Sequence, residues 1–126
     1  MIPNNLRYTK EHEWVMLEGN TATIGITDFA QRELGDIIYV EIESTGRSLE
    51  AEAVFGTVEA VKTVSDLYLP VAGTINEVNP LLGDSPALVN TDPYGEGWMI
   101  KMTVEEPADV EQLHDAQSYQ SLIGQD

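Results

Sequence analysis

The chain has 126 residues, 42% hydrophobic and 22% charged, enough to close one modest core. Its 22 acids against 6 Lys and Arg leave a formal charge of -16, the wrong sign for gripping nucleic acid or an anionic membrane surface, so the partners expected are basic surfaces or small molecules. No cysteine is present, which removes disulfides and thiolate chemistry, and no apolar run approaches the length of a membrane span.

The opening "MIPNNLRYTKEHEW" has neither the basic-then-apolar layout of a signal peptide nor the arginines of a transit peptide, so a cytoplasmic setting is expected. "HEWVML" alternates and "TATIGI" returns, with Gly19-Asn20 between them supplying the positive φ of a tight hairpin turn. A short helix is expected near residues 28–34. Thr27 suits the N-cap, Asp28 the positive end of the first turn, and Gly35 a left-handed C-cap. "DIIYVEI" reads as a strand with Ile38, Val40 and Ile42 on one face and Ile37, Tyr39 and Glu41 on the other.

From "AVFGTVEAV" through "TVSDLYLPVAGTINEV" the period is near two, which predicts two or three more strands. Asn79-Pro80 and Gly83-Asp84-Ser85-Pro86 mark turns, and "DPYGEG" is a glycine-rich loop, too short and wrongly placed to cradle a phosphate. "WMIKMTV" closes the β region with Trp98, Ile100, Met102 and Val104 facing one way. Pro107 fits the first position of a C-terminal helix through "PADVEQLHDAQSYQSLI", packing through Val110, Leu113 and Leu122. Gly25 and Gly73, Leu34 and Leu82, Gly35 and Gly83, Asp36 and Asp84 each recur at one fixed spacing, which suits a pseudo-twofold β-sandwich with "VEAVKTVSD" as a hairpin linking the halves.

Between Arg47 and Lys101 the only base is Lys62, set among Glu50, Glu52, Glu59, Asp66, Glu77, Asp84, Asp92 and Glu96. In an unbroken strand its parity would turn it inward beside Val58, and an unpaired ammonium in a core is costly, so a turn is expected at Val61-Lys62-Thr63. That places Lys62 at an exposed hairpin tip. Three uses are open to it: an edge charge that discourages strand aggregation, a Schiff-base or general-base lysine, or an amine presented for covalent attachment. The second is disfavoured, because such lysines sit in desolvated or cation-flanked settings and this one has Glu59 and Asp66 for neighbours.

"YTKEHEW", "TATIGITDFAQRELGDI", "GTVEAVKTVSDLYLPVAGTI" and "LVNTDPYGEGWMIKM" together resemble the glycine cleavage system H proteins, in that family's order and over nearly the whole chain. The attachment motif, usually E-S-V-K-A, is here Glu59-Ala60-Val61-Lys62-Thr63, departing at Ala60 and Thr63. The resemblance implies a mainly β barrel-sandwich hybrid, residues 1–126 forming a single lipoyl-carrier domain, with lipoic acid joined to Lys62. It implies a non-catalytic, monomeric carrier. The carrier would receive the aminomethyl group from a pyridoxal-phosphate glycine decarboxylase, hand it to a tetrahydrofolate-dependent aminomethyltransferase, and present the dithiol to dihydrolipoamide dehydrogenase. A lipoate-attaching enzyme is a further partner.

A lysine joined to a lipoyl chain reaches roughly 12 to 14 Å by summed bond lengths, enough to enter a partner's active site. The absence of cysteine agrees with this role, since a protein thiolate would attack the lipoyl disulfide. The resemblance also implies that Glu13 and Asp66 contact the loaded arm, accepting hydrogen bonds from its amine. The alternative carrier is an H-like protein relaying lipoyl groups to other enzymes through the same Lys62. An enzyme would need a constellation such as Glu11-His12-Glu13, which strand alternation would split between two faces, and His12 and His114 lack metal-site spacing.

Overall fold

The computed structural model describes residues 2–124, so the outermost residues of the expected 1–126 unit lie outside the described ones. Nine strands alternate with short helical pieces: β1 (Arg7–Tyr8), β2 (Glu13–Glu18), β3 (Thr21–Ile26), α1 (Asp28–Leu34), β4 (Ile37–Glu41), β5 (Ser48–Leu49), β6 (Val54–Ala60), β7 (Val64–Tyr68), β8 (Gly73–Val78), α2 (Leu88–Thr91), β9 (Ile100–Val104) and α3 (Ala116–Leu122). They form a six-stranded sheet in the order β1-β2-β3-β9-β8-β5 and a three-stranded sheet β4-β6-β7, antiparallel throughout. The expected mainly β architecture with a helix at residues 28–34 is what the chain builds.

Alternation along each strand decides which core a side chain enters. Val15, Ile24, Val58, Leu67, Ile75, Ile100 and Met102 face between the sheets and are buried. Trp14, one step from Val15, points the other way into a second cluster with Leu6, Tyr8, Ala116 and Tyr119. That cluster seats α3 on the outside of the large sheet.

The β2–β3 turn pairs Glu18 with Thr21, and of the two loop residues only Gly19 takes a positive φ, +64°, so Asn20 does not share that conformation. In α1 the Thr27 hydroxyl accepts the Ala30 N–H, and Gly35 closes the helix at φ 82°, ψ -159°. That is a positive φ as expected, in a mirror-extended region that glycine alone adopts readily. Gly83, its partner in the repeat, lies at φ -62°, ψ -46°, so the echo does not extend to backbone conformation. The β6–β7 hairpin forms the smaller sheet with β4.

Three expected faces are corrected. A bulge between Ile37 and Tyr39 breaks the alternation of β4, turning Ile37 into the core while Ile38 is 49% exposed. Trp98 does not face with Ile100 and Met102: β9 begins at Ile100, Met99 enters the main core, and Trp98 packs in the second cluster with the Lys101 ammonium 4.9 Å from its ring centroid. The C-terminal helix is two pieces, a 3-10 turn Pro107–Gln112 and α3, split where His114 and Tyr8 exchange backbone hydrogen bonds. Val110 is buried and Leu113 packs on the core as expected, but Leu122 is exposed, and Ala116 and Tyr119 supply the contact of α3 instead.

Candidate functional site

Lys62 stands at the tip of the β6–β7 hairpin. The Ala60 N–H donates to the Thr63 carbonyl at 2.7 Å, and neither Val61 nor Lys62 has a positive φ, so the tip is not of the primed type common in two-residue hairpins. A tertiary contact steadies it: the Val61 N–H donates to the Asp36 carbonyl at 3.0 Å, just after α1. The lysine stem passes over Gly35, where a Cβ would stand 3.4 Å from Lys62 Cε. The lysine is thus solvent-exposed on a braced turn, and the one ion pair among the described residues, Arg32 with Asp28, lies elsewhere.

Asn90 holds that brace. From α2, its Nδ2 donates to the Gly35 carbonyl and to Gln31 Oε1, each at 2.9 Å, while its Oδ1 accepts the Ile37 N–H at 2.9 Å. One side chain therefore joins the end of α1 to the start of β4. The sequence reading missed both Asn90 and the four-residue helix carrying it, because a single turn has no periodicity to detect.

A cleft of about 240 Å³ runs between α1 and the β6–β7 hairpin. Ile26, Phe29, Leu34, Val58 and Leu67 give it apolar walls, and Glu11, Glu13, Glu33 and Asp66 also line it. Glu13 and Asp66, expected to act together, do meet in one cleft. Leu34, in its wall, is the neighbour of the Gly35 over which Lys62 passes. Glu59 does not enter it: exposed on the outer face of the small sheet, Glu59 sits in register between Tyr39 and Val64.

Glu13 is 2% exposed. Its Oε1 accepts the Thr9 hydroxyl at 2.6 Å and its Oε2 the Tyr68 N–H at 3.2 Å. Burial pushes its carboxyl up to about 8, against the pull of those two hydrogen bonds. Burial of this side chain therefore favours its protonated form. A cationic amine brought alongside would favour the carboxylate and displace that proton.

Glu11, His12 and Glu13 all line the cleft, contrary to the alternation expected of them. The reason is backbone geometry: β2 begins at Glu13, and His12 occupies a turn at φ 70°, one of two non-glycine residues described with positive φ. The His12 N–H donates to the Thr9 carbonyl, and its own carbonyl accepts the Thr27 N–H, both at 3.0 Å. His114 lies apart, its Nδ1 2.6 Å from Ser118 Oγ.

An aliphatic chain with a cationic end asks for apolar walls leading to carboxylates, and this cleft has both. Residues 6–126 match the family profile described as Glycine cleavage H-protein. The chain is similar to the glycine cleavage system H proteins of Bacteroides fragilis, 56% identical over 122 residues and 97% of each chain, and of Chlorobium limicola, 57% identical over 126 residues and 98% of each. Among solved structures it is similar to a glycine cleavage system H protein from Mycobacterium marinum, with a TM-score of 0.89 and 37% identity over 98% of this chain and 99% of the other. With the profile spanning all but the first five residues and the fold agreeing throughout, the chain belongs to the glycine cleavage H-protein family.

Proposed function

We infer that the chain is a single-domain lipoyl carrier of glycine cleavage, with lipoic acid amide-linked to Lys62. The observation that carries this reading is the exposed Lys62 on a braced tip, its stem over Gly35, beside Leu34 of a cleft that Glu13 and Asp66 also line. When attached, the lipoyl group supplies a cyclic disulfide that accepts a one-carbon amine, on a chain of roughly 12 to 14 Å. Everything else falls to the protein. The tip presents the amine of Lys62 to the lipoate-attaching enzyme, with Glu59 as the acid of the attachment motif. The apolar walls of the cleft shelter the arm from water, Glu13 and Asp66 accept hydrogen bonds from its cationic end, and Glu13 releases its proton when that charge arrives.

On this reading the chain performs no turnover itself and meets glycine decarboxylase, aminomethyltransferase and dihydrolipoamide dehydrogenase in succession, as a monomer in the cytoplasm. The test is the intact mass of protein from its native cells, with peptide mapping across residues 56–69. A lipoyl adduct on Lys62, lost in Lys62→Arg, is expected. An unmodified Lys62 in cells with active lipoylation would overturn the proposal. Aminomethyl loading by glycine decarboxylase then separates glycine cleavage from a relay role.

A further inference from the structure

His12 is a cleft residue for which the proposed carrier chemistry has no use, and its surroundings determine which of its nitrogens carries the proton. Its Nδ1 lies 2.9 Å from the Tyr119 hydroxyl, and that same hydroxyl lies 2.8 Å from Thr27 Oγ1. Thr27 Oγ1 in turn accepts the Ala30 N–H at 3.1 Å. Thr27 and Tyr119 are both fully buried, so each hydroxyl hydrogen must find an acceptor within the protein.

Only one direction of donation satisfies them all. If Thr27 donates to Tyr119 and Tyr119 donates to His12 Nδ1, every hydrogen in the chain is used and the imidazole carries its proton on Nε2. If instead His12 donated from Nδ1 to Tyr119, and Tyr119 to Thr27, the Thr27 hydroxyl hydrogen would have no acceptor among the described residues, with the penalty of a buried unpaired donor. The imidazolium is disfavoured too: burial lowers the pKa of His12, against the smaller opposing influence of Glu11 and Glu33. Phe29, 4.9 Å away between ring centroids, and Tyr119, edge-on at 5.8 Å, hold the ring in place.

We propose that Tyr119, backed by Thr27, fixes neutral His12 in its Nε2–H form, making His12 a hydrogen-bond donor to the arm in a cleft where Asp66, and Glu13 once the loaded amine has displaced its proton, are the acceptors. This rests on the cleft being the resting place of the Lys62 arm. The carboxylates recognise the cationic amine, which has only donors to give; Nε2–H takes a lone-pair acceptor on the same arm. His12 is thus a specificity residue and Tyr119, on the C-terminal helix, a positioning residue for it.

The test is long-range proton–nitrogen NMR of the full chain labelled at histidine, which has only two, with His114→Gln to assign them. In the unlipoylated protein, His12 is expected to show a bare Nδ1 and a protonated Nε2. Tyr119→Phe keeps the ring stacked on Tyr8, at 4.8 Å, but removes the donor, and should give mixed tautomers; Thr27→Ser in the otherwise unchanged chain, which retains the hydroxyl, should keep the wild-type pattern. A proton on Nδ1 in the wild type, or an unchanged tautomer in Tyr119→Phe, would overturn the relay. In the lipoylated carrier loaded by the decarboxylase with glycine, the Nε2 resonance should move. A silent Nε2 on a chain whose mass shows the loaded arm overturns the donor role, whereas absence of lipoyl from Lys62 overturns the ligand assignment and the carrier reading together while the apo tautomer remains a separate result.

Discussion

The side chain of Lys62 crosses directly over Gly35, so that a single carbon added to Gly35 would come 3.4 Å from Lys62 Cε. The hairpin tip and the end of α1 are thereby one unit, tied by the Val61–Asp36 hydrogen bond and by Asn90 beneath.

Gly35→Ala tests that unit. At φ 82°, ψ -159° the alanine is strained by about 1–3 kcal/mol. Urea unfolding should show a lower midpoint, and at a temperature where the variant stays folded, lipoylation at Lys62 should be slowed.

Asn90→Ala should cost about 2–4 kcal/mol, because it strips the Ile37 N–H and the Gly35 carbonyl of their shared partner. Amide exchange would localise the damage. The Ile37 and Val61 amides should lose protection more than those of β3 or β9, whose ladders do not depend on Asn90.

Glu13 makes stability depend on pH with a definite sign. Its folded value of about 8 lies above the ordinary 4.5, so the folded state holds the extra proton between those values. Its contribution is fully present below about 4.5 and is lost as pH rises through 8, a fall on the order of 2–4 kcal/mol. Glu13→Gln should flatten that decline in denaturation curves taken from pH 5 to 8.5. His12 acts oppositely: with its pKa lowered from 6.5, it costs stability as pH falls below that value, and this arm of the profile should survive in Glu13→Gln.

Gly25→Ala should be poorly tolerated for a packing reason. Its Cβ would fall 2.7 Å from Trp14 Nε1, and the indole cannot retreat without losing its hydrogen bond to the Pro93 carbonyl at 2.9 Å. A loss of about 1–3 kcal/mol is expected from overpacking, read as a lowered thermal midpoint with the lipoylation site intact.

The local chemistry of the sequence was sufficient for the first hairpin, for α1 with its Thr27 cap and Gly35 terminus, and for the turn that exposes Lys62, because each rests on residues within a few positions of one another. Burial cost alone placed that lysine outside. Motifs spanning nearly the whole chain made the family legible as well. Alternation failed wherever a backbone irregularity intervened: the bulge in β4 sent Ile38 outward, the late start of β9 moved Trp98 to another face, and the positive φ of His12 put it beside its neighbours in the cleft. What only the tertiary structure decided are the contacts between residues far apart in the chain. Glu13 from one sheet and Asp66 from the other line one cleft, Glu13 accepts the Tyr68 N–H, Asn90 reaches back to Gly35 and Ile37, and Tyr119 closes on His12 and Thr27. Such pairs carry no spacing signal, since the geometry that joins them exists only once the sheets have packed.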